Sequence, residues 1–211
     1  MYFQRDYILR MIEMMGDVMR RISEMIDDLQ RMRLLEDLCR EQCGLTLRAA
    51  EGLSLESLME MLDPAPRFAL SELIYIKARQ CPSAVEARED ALLRSLRLLL
   101  SLRDNGPLCE ARAERALELK EEFLHALSCA DLLALAEFFS EAERYDAMED
   151  ALFQALGRCD DPRCCYQSGR TLLEAARRAR PDALAFSRLT PDELAQSVLE
   201  WERAARAMGV F

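Results

Sequence analysis

The sequence predicts an all-α protein, and three observations carry that prediction. The 211 residues include only 7 Gly and 7 Pro, while Leu, Ala, Glu and Arg, all good helix formers, are abundant. Apolar residues near the N-terminus recur with a helical period. No stretch alternates apolar and polar residues between turn signals, so no strand is expected. The chain is long enough to bury the core of one large domain or two small ones.

The N-terminal element is a predicted long helix over residues 2–42, ending at Gly44. Its apolar residues are separated by 3, 4, 3, 4, 3, 4 and 3 positions, which is a heptad pattern. These residues, called the heptad seam below, are Ile8, Met11, Met15, Val18, Ile22, Met25, Leu29 and Met32. Such a seam needs an apolar partner, and we expect self-association. Packing within the chain, or docking of the methionine-rich stripe on another protein, is the alternative.

A short connector is predicted to follow this arm. Ser54 can cap a helix over residues 55–62, and the Pro-rich segment 63–66 then interrupts it. The segment is the expected domain boundary. We therefore predict an N-terminal arm with its connector at 1–62 and a helical body at 66–211.

The body is predicted to be a row of helices joined by short turns, stacked as antiparallel hairpins. A capping box formed by Ser83 and Glu86 should begin the second of these helices. Thr190 and Pro191 should begin the last. The predicted helices span residues 66–80, 83–103, 107–127, 129–141, 145–157, 163–180 and 191 onward. Together with the arm and the connector, about nine helices are expected.

Residues 129–157 resemble a tetratricopeptide repeat, a helix–turn–helix unit of about 34 residues. The matching residues are Leu132, Leu135, Ala136, Phe139, Tyr145, Asp146, Leu152, Ala155 and Leu156. The family usually has alanine where Met148 stands, and the closing proline is displaced to Pro162. The resemblance implies a superhelix of stacked hairpins that binds other proteins.

The first residues are similar to the start of a bacterial protein family of unknown function. The matching stretch runs from Tyr2 to Ile8 and continues with Arg10, Ile12 and Glu13. Members of that family join such a helix to a helical-repeat body. The resemblance implies a bacterial protein and no particular activity.

Charge and cysteine content limit the partners and the location. The net charge of -10 opposes binding to nucleic acid, and no run approaches the roughly 20 apolar residues of a membrane span. Arg5, Asp6 and Arg10 interrupt the apolar character that a signal peptide would need. We therefore expect a cytoplasmic protein whose 8 cysteines are reduced.

A basic stretch inside this acidic chain is the predicted partner-binding surface. Glu174 is the only acid between residues 163 and 180, where arginines recur. The proposed contacts are Arg163, Arg170, Arg177 and Arg178. Guanidinium groups bind carboxylates in a two-pronged geometry, so an acidic peptide is the expected ligand. Pairing with the chain's own acids is the alternative.

Residues that could support catalysis or metal binding are few. His125 is the only histidine, which removes a member from most nucleophile–base and metal schemes. Cys159, Cys164 and Cys165 form the densest thiol group, but without a second cysteine knuckle nearby; Cys39 and Cys43 are further candidate ligands. We therefore predict a non-enzymatic interaction or scaffold protein without a cofactor. A thiol- or metal-dependent enzyme using the cysteine-rich bend at 159–165 is one alternative. A peripheral membrane protein that inserts the Met/Ile stripe is the other.

Overall fold

The computed structural model describes residues 2–81 and 84–210, and the side chains from residue 7 onward. Among these residues there are twelve α-helices, one short 3-10 helix and no strand, which confirms the all-α prediction. The chain divides into two compact units, Met1–Leu102 and Arg103–Phe211. We call them the N-terminal unit and the C-terminal unit.

The N-terminal unit is built around a helix that is buried on nearly every side. Its helices are α1 (Tyr2–Glu24), α2 (Asp28–Cys43), α3 (Leu47–Gly52), α4 (Leu55–Met61), α5 (Pro64–Gln80) and α6 (Val85–Leu100). The central helix is α5, which packs against α1, α2 and α6. From Phe68 to Ile76 every residue of α5 is buried. A helix without a polar face belongs in the interior, and its neighbours supply the polar surface.

The predicted single helix over residues 2–42 is wrong, because the chain breaks between α1 and α2. Asp27 adopts an extended backbone and its carboxylate accepts a hydrogen bond from the Leu29 amide at 2.9 Å, so it caps a new helix. Arg31 donates from its guanidinium to the Met25 carbonyl and to the Gln80 carbonyl, which holds the break against α5. The predicted stop at Gly44 is confirmed, with a φ of 69° in the left-handed region.

The division between the units falls after Leu102, whereas the sequence suggested a boundary at the Pro-rich segment 63–66. The prolines of that segment lie in the first turn of α5, where they are compatible with a helix. Since α5 packs on α1 and α2, these two helices share a core with the helix that follows the Pro-rich segment. The Pro-rich segment therefore marks the start of a helix inside the N-terminal unit rather than a boundary between units.

The helix starts on either side of α5 agree better with the prediction from the sequence. Ser54 caps α4 as predicted, accepting a hydrogen bond from the Ser57 amide at 3.0 Å. Ser83, the predicted cap of the next helix, lies outside the described residues. The helix α6 begins at Val85, and the apolar residues of its second half are buried.

The C-terminal unit contains six α-helices and the 3-10 helix. They are α7 (Gly106–Glu122), the 3-10 helix (Leu124–Ala126), α8 (Cys129–Glu141), α9 (Tyr145–Leu156), α10 (Pro162–Ala176), α11 (Pro181–Phe186) and α12 (Pro191–Ala207). The helix α8 packs against α7, α9 and α10, and α10 packs against α12. Trp201 of α12 is fully buried and lies edge-on to Phe153, with ring centroids 5.3 Å apart.

Two predicted helices of this unit were too long. The helix expected over 107–127 ends at Glu122 and continues as the 3-10 helix. The helix expected over 163–180 ends at Ala176, and Pro181 begins a separate short helix. A capping box is present at Thr190, the predicted start of the last helix, and another is present at Ser128.

The hairpin predicted over residues 129–157 is present as α8 and α9. Its small residues Ala136 and Ala155 are fully buried, as are the aromatic side chains of Phe138 and Phe139. The turn is held by Ser187, whose hydroxyl donates to the Glu143 carbonyl and accepts from the Tyr145 amide. A superhelix of tetratricopeptide repeats remains a prediction.

Candidate functional site

The heptad seam has two different surroundings in the structure. Its first five residues, from Ile8 to Ile22, are at most 4% exposed, and their helix α1 packs against α5. Beyond the break the seam opens. Met25 and Met32 are only half-buried, and Leu29 is 70% exposed. The neighbouring Ile26 is 97% exposed. Packing within the chain thus covers the first part of the seam and leaves the second part uncovered.

A groove of about 900 Å³ in the N-terminal unit lies beside this open part. Its apolar lining consists of Leu29, Met32, Leu55, Ala78 and Ala91, together with Ala87 and Cys81. Its charged lining consists of Asp28, Glu51, Asp90, Lys77, Arg94 and Arg97. No motif in the sequence indicated the groove, because its residues come from five different helices and lie up to 69 positions apart, from Asp28 to Arg97.

Two basic side chains of the groove are already engaged. Lys77 forms an ion pair with Glu51. Arg94 donates to the carbonyls of Ala50 and Leu53, which ties α6 to the end of α3. Burial lowers the pKa of Arg94 from its ordinary value, although the group remains charged. The groove therefore offers an apolar floor between fixed charges of both signs.

The predicted arginine surface lies on α10 and just after it. Arg163, Arg170, Arg177 and Arg178 are all exposed. Arg170 donates from Nε to Glu174 at 2.8 Å, and this pairing raises the pKa of Arg170 and lowers that of Glu174. The helix ends at Ala176, so the seven-residue spacing does not continue along one helix face to Arg177.

The surroundings of this surface are of mixed charge. Arg180 pairs with Glu143 and Asp182, and Arg206 lies 3.9 Å from Glu202 beside Arg170 in a shallow cavity. Partner binding by the four predicted arginines remains a prediction. Of these arginines, Arg170 already forms an ion pair with Glu174.

The cysteine-rich bend forms a thiol cluster whose membership differs from the predicted one. The Sγ atoms of Cys129, Cys159 and Cys165 all lie within 4.8 Å of one another. Cys164, which the sequence analysis placed in this group, is exposed and is not a member of the cluster. We call the three residues the thiol cluster. The sequence missed Cys129 because it lies 30 positions before Cys159, and only the packing of α8 on α10 brings it there.

The members of the thiol cluster lie in the first turn of a helix or in the connection before it. Cys129 is the first residue of α8, directly after the N-cap Ser128. Cys165 lies in the fourth position of α10, whose N-cap is Asp161. Cys159 lies in the connection between α9 and α10, and its thiol donates to the Asp161 carbonyl at 3.1 Å. The cluster is therefore held by two helix N-termini and the short link before one of them.

Burial and neighbouring thiols raise the pKa of two members of the thiol cluster, Cys129 and Cys165. Burial, followed by the hydrogen bond and the charge of Cys159, raises the pKa of Cys129 to about 12. Burial, followed by the charges of Cys129 and Cys159, also raises the pKa of Cys165. Without a compensating cation, Cys129 and Cys165 are therefore protonated near neutral pH, and both are poor nucleophiles.

The other two candidate ligands, Cys39 and Cys43, belong to the N-terminal unit. Cys43 donates from its thiol to the Pro66 carbonyl at 3.3 Å. Interaction with the neighbouring Cys43 thiol lowers the pKa of Cys39. All eight cysteines are free thiols.

Two further observations bear on function. No helix in the described part of the chain combines the length and the apolar character needed to cross a membrane. Comparison with protein-family models, with curated proteins and with solved structures gave no match. The function must be inferred from the residues of the chain itself.

Proposed function

We propose that this protein is a non-enzymatic helical interaction module that associates with a second copy of itself through the open part of the heptad seam. The observation that carries the proposal is Leu29, a large apolar side chain 70% exposed at the rim of the groove. The contact surface consists of Leu29 and Met32 with the apolar floor beside them.

The proposed self-association surface uses only the last residues of the heptad seam, whereas the sequence predicted that all eight would take part. A dimer that used Ile8 to Ile22 would have to remove α1 from α5 and expose the core of the N-terminal unit. Fully burying one leucine contributes about 1.5 to 3 kcal/mol, so exposing several such side chains would cost more than a small interface returns. Leu29 requires no such rearrangement.

The arrangement favours a two-fold contact. Leu29 lies on α2 next to a cavity, so each copy presents both a projecting apolar side chain and a place to receive one. A symmetric dimer uses the same patch on both copies, and such a patch must be complementary to itself. The charge of the groove supports such a contact, because its lining includes both acids, such as Asp28 and Asp90, and bases, such as Arg97.

A reducing, cytoplasmic setting is part of the proposal. It is supported by the eight free thiols, several of which are buried where a small apolar side chain would also fit. The hairpin of α8 and α9 supports a repeat-like C-terminal unit. Arg163, Arg177 and Arg178 remain candidate contacts there for an acidic peptide.

The test is the solution mass of the intact, reduced protein, measured by sedimentation equilibrium. The protein concentration should run from about 1 to 100 μM, which covers the dissociation constants of weak dimers. We expect a dimer for the wild type and a monomer for Leu29→Glu. The matched control is Leu199→Glu, because Leu199 is 50% exposed on α12 and lies outside the groove. It should remain dimeric.

Because Leu29 is exposed, Leu29→Glu should retain the wild-type helix content by circular dichroism. A wild type that is monomeric across the whole range would overturn the proposal. A dimer that survives Leu29→Glu would equally exclude this surface.

A further inference from the structure

We propose that the thiol cluster of Cys129, Cys159 and Cys165 is a binding site for one thiophilic divalent cation, with Zn²⁺ as the probe. This site lies in the C-terminal unit and is independent of the proposed self-association. It shares Cys159 and Cys165 with the predicted cysteine group but excludes Cys164 and includes Cys129 from α8.

The geometry of the sulfur atoms fits a tetrahedral ion. Zn–S bonds of about 2.3 Å place the sulfurs of a tetrahedral site about 3.8 Å apart. The three Sγ atoms lie within 4.8 Å of one another without any ion between them. A contraction of roughly 1 Å or less per pair, within the reach of small side-chain rotations, would bring them to bonding distance.

The scaffold holds the three sulfurs in place before any ion arrives. The capping box of Ser128 and Asp131 fixes the first turn of α8 at Cys129. The Asp161 carboxylate accepts from the amides of Arg163 and Cys164, which fixes the first turn of α10. Preorganisation of this kind reduces the ordering that binding would otherwise require.

The link that carries Cys159 is anchored as well. The guanidinium of Arg158 donates to the carbonyls of Leu124 and Leu127, at the segment that leads into α8. The link between α9 and α10 is thereby tied to the start of α8. All three ligands thus belong to one small framework, which the bound ion would cross-link.

The electrostatic environment suits thiolates once a cation is present. Cys129 and Cys165 lie in the first turns of α8 and α10, where the backbone amides carry partial positive charge. A divalent cation removes the repulsion between neighbouring thiolates, and binding releases their protons. Zinc and similar ions prefer thiolates to carboxylates or water, which defines the class of metal.

Three cysteine ligands leave one position of a tetrahedral ion for a fourth ligand. Cys165 is fully buried, whereas Cys129 and Cys159 are half-buried. A water molecule reaching the site from the side of these two half-buried residues is therefore the expected fourth ligand.

The experiment titrates the intact protein, reduced and stripped with a chelator, with Co²⁺, and then displaces it with Zn²⁺. Thiolate-bound Co²⁺ gives intense sulfur-to-metal charge-transfer absorption, whereas oxygen-bound Co²⁺ does not. We expect one equivalent, displaced by one equivalent of Zn²⁺. Cys159→Ser should lower the Co²⁺ affinity at least about tenfold, whereas Cys164→Ser, the matched control beside the site, should leave it unchanged.

Folding of the variants does not limit this test. Cys159 is half-buried in a connection, so its serine variant should keep the wild-type helix content, unlike substitutions at the fully buried Cys165. Zn²⁺ should raise the melting temperature of the wild type and of Cys164→Ser but not that of Cys159→Ser. Absence of the charge-transfer band, or equal effects of Cys159→Ser and Cys164→Ser, would overturn the proposal.

Discussion

Replacing Gly169 by alanine tests the packing that forms the core of the C-terminal unit. Gly169 lies in α10, where the ring of Trp201 from α12 covers it. A Cβ atom added at this position would lie 2.2 Å from Cζ2 and 2.7 Å from Cε2 of the indole. Trp201 is fully buried and its Nε1 donates to the Tyr166 carbonyl at 3.2 Å, so the ring has little room to move.

The expected effect is the sum of opposing contributions. Alanine is favoured over glycine inside a helix by about 1 kcal/mol. Overpacking of a filled core typically costs about 1 to 3 kcal/mol, and loss of a buried hydrogen bond such as that of Trp201 costs about 1 kcal/mol. We therefore expect Gly169→Ala to lower the free energy of unfolding by about 1 to 3 kcal/mol.

Urea denaturation followed by tryptophan fluorescence measures this effect directly, because Trp201 is the only tryptophan in the chain. Displacement of the ring should also shift the emission of the folded state to longer wavelength. The matched control is Gly16→Ala in α1. No atom lies within 4 Å of a Cβ added at Gly16, which is exposed, so this variant should be stabilised by about 0.5 to 1 kcal/mol, measured by circular dichroism.

The opposite signs of the two substitutions are the essential result. If Gly169→Ala is as stable as the wild type and keeps its emission maximum, the close approach of α10 to Trp201 is refuted. A second check is Trp201→Phe, which removes the atoms that clash. In that background the cost of Gly169→Ala should fall, as a double-mutant cycle would show.

Two further predictions concern buried polar groups. Ser71→Ala should lower the free energy of unfolding by about 1 kcal/mol in urea denaturation. The reason is that Ser71 and Ser95 each donate from the hydroxyl to the other's carbonyl at 2.9 Å where α5 meets α6. The control Ser57→Ala, at an exposed pair of hydroxyls, should lower the free energy of unfolding by less. Glu149→Gln should stabilise at pH 7, because burial raises the pKa of Glu149 in the folded state and the ionised form is disfavoured there. The stability that protonated Glu149 contributes is present below its unfolded pKa and is lost as pH rises through the folded pKa. The stability gained by Glu149→Gln should therefore vanish at about pH 4, where Glu149 is largely protonated in both states. An equal gain in stability at pH 7 and at about pH 4 would contradict this prediction.

Several elements could be predicted because their signals are local. The caps at Ser54 and Thr190 and the stop at Gly44 each depend on residues within one helical turn. The hairpin over 129–157 followed from small and apolar residues at helical spacing. The seam also indicated helix correctly, but its period could not show where the helix would break, since the apolar spacing continues through the break and the hydrogen bond from Arg31 to the Gln80 carbonyl joins residues 49 positions apart.

The candidate sites were harder to predict than the helices. The bend at 159–165 marked two of the three members of the thiol cluster, but adjacency in sequence favoured Cys164 over Cys129. Consecutive residues of a helix point in different directions, so Cys164 and Cys165 cannot both face α8. The groove beside Leu29 had no local signal at all.

The sequence by itself determined that the chain is helical, that it is acidic, and which faces of its helices are apolar. These properties follow from backbone propensity, side-chain charge and the 3.6-residue period, which act over a few residues. Only the tertiary structure decided that α5 is central, that Leu29 stays exposed while Ile22 does not, and that Cys129 meets Cys165. Burial depends on which helices find one another, and that choice minimises exposed apolar area over a whole unit rather than within one helix.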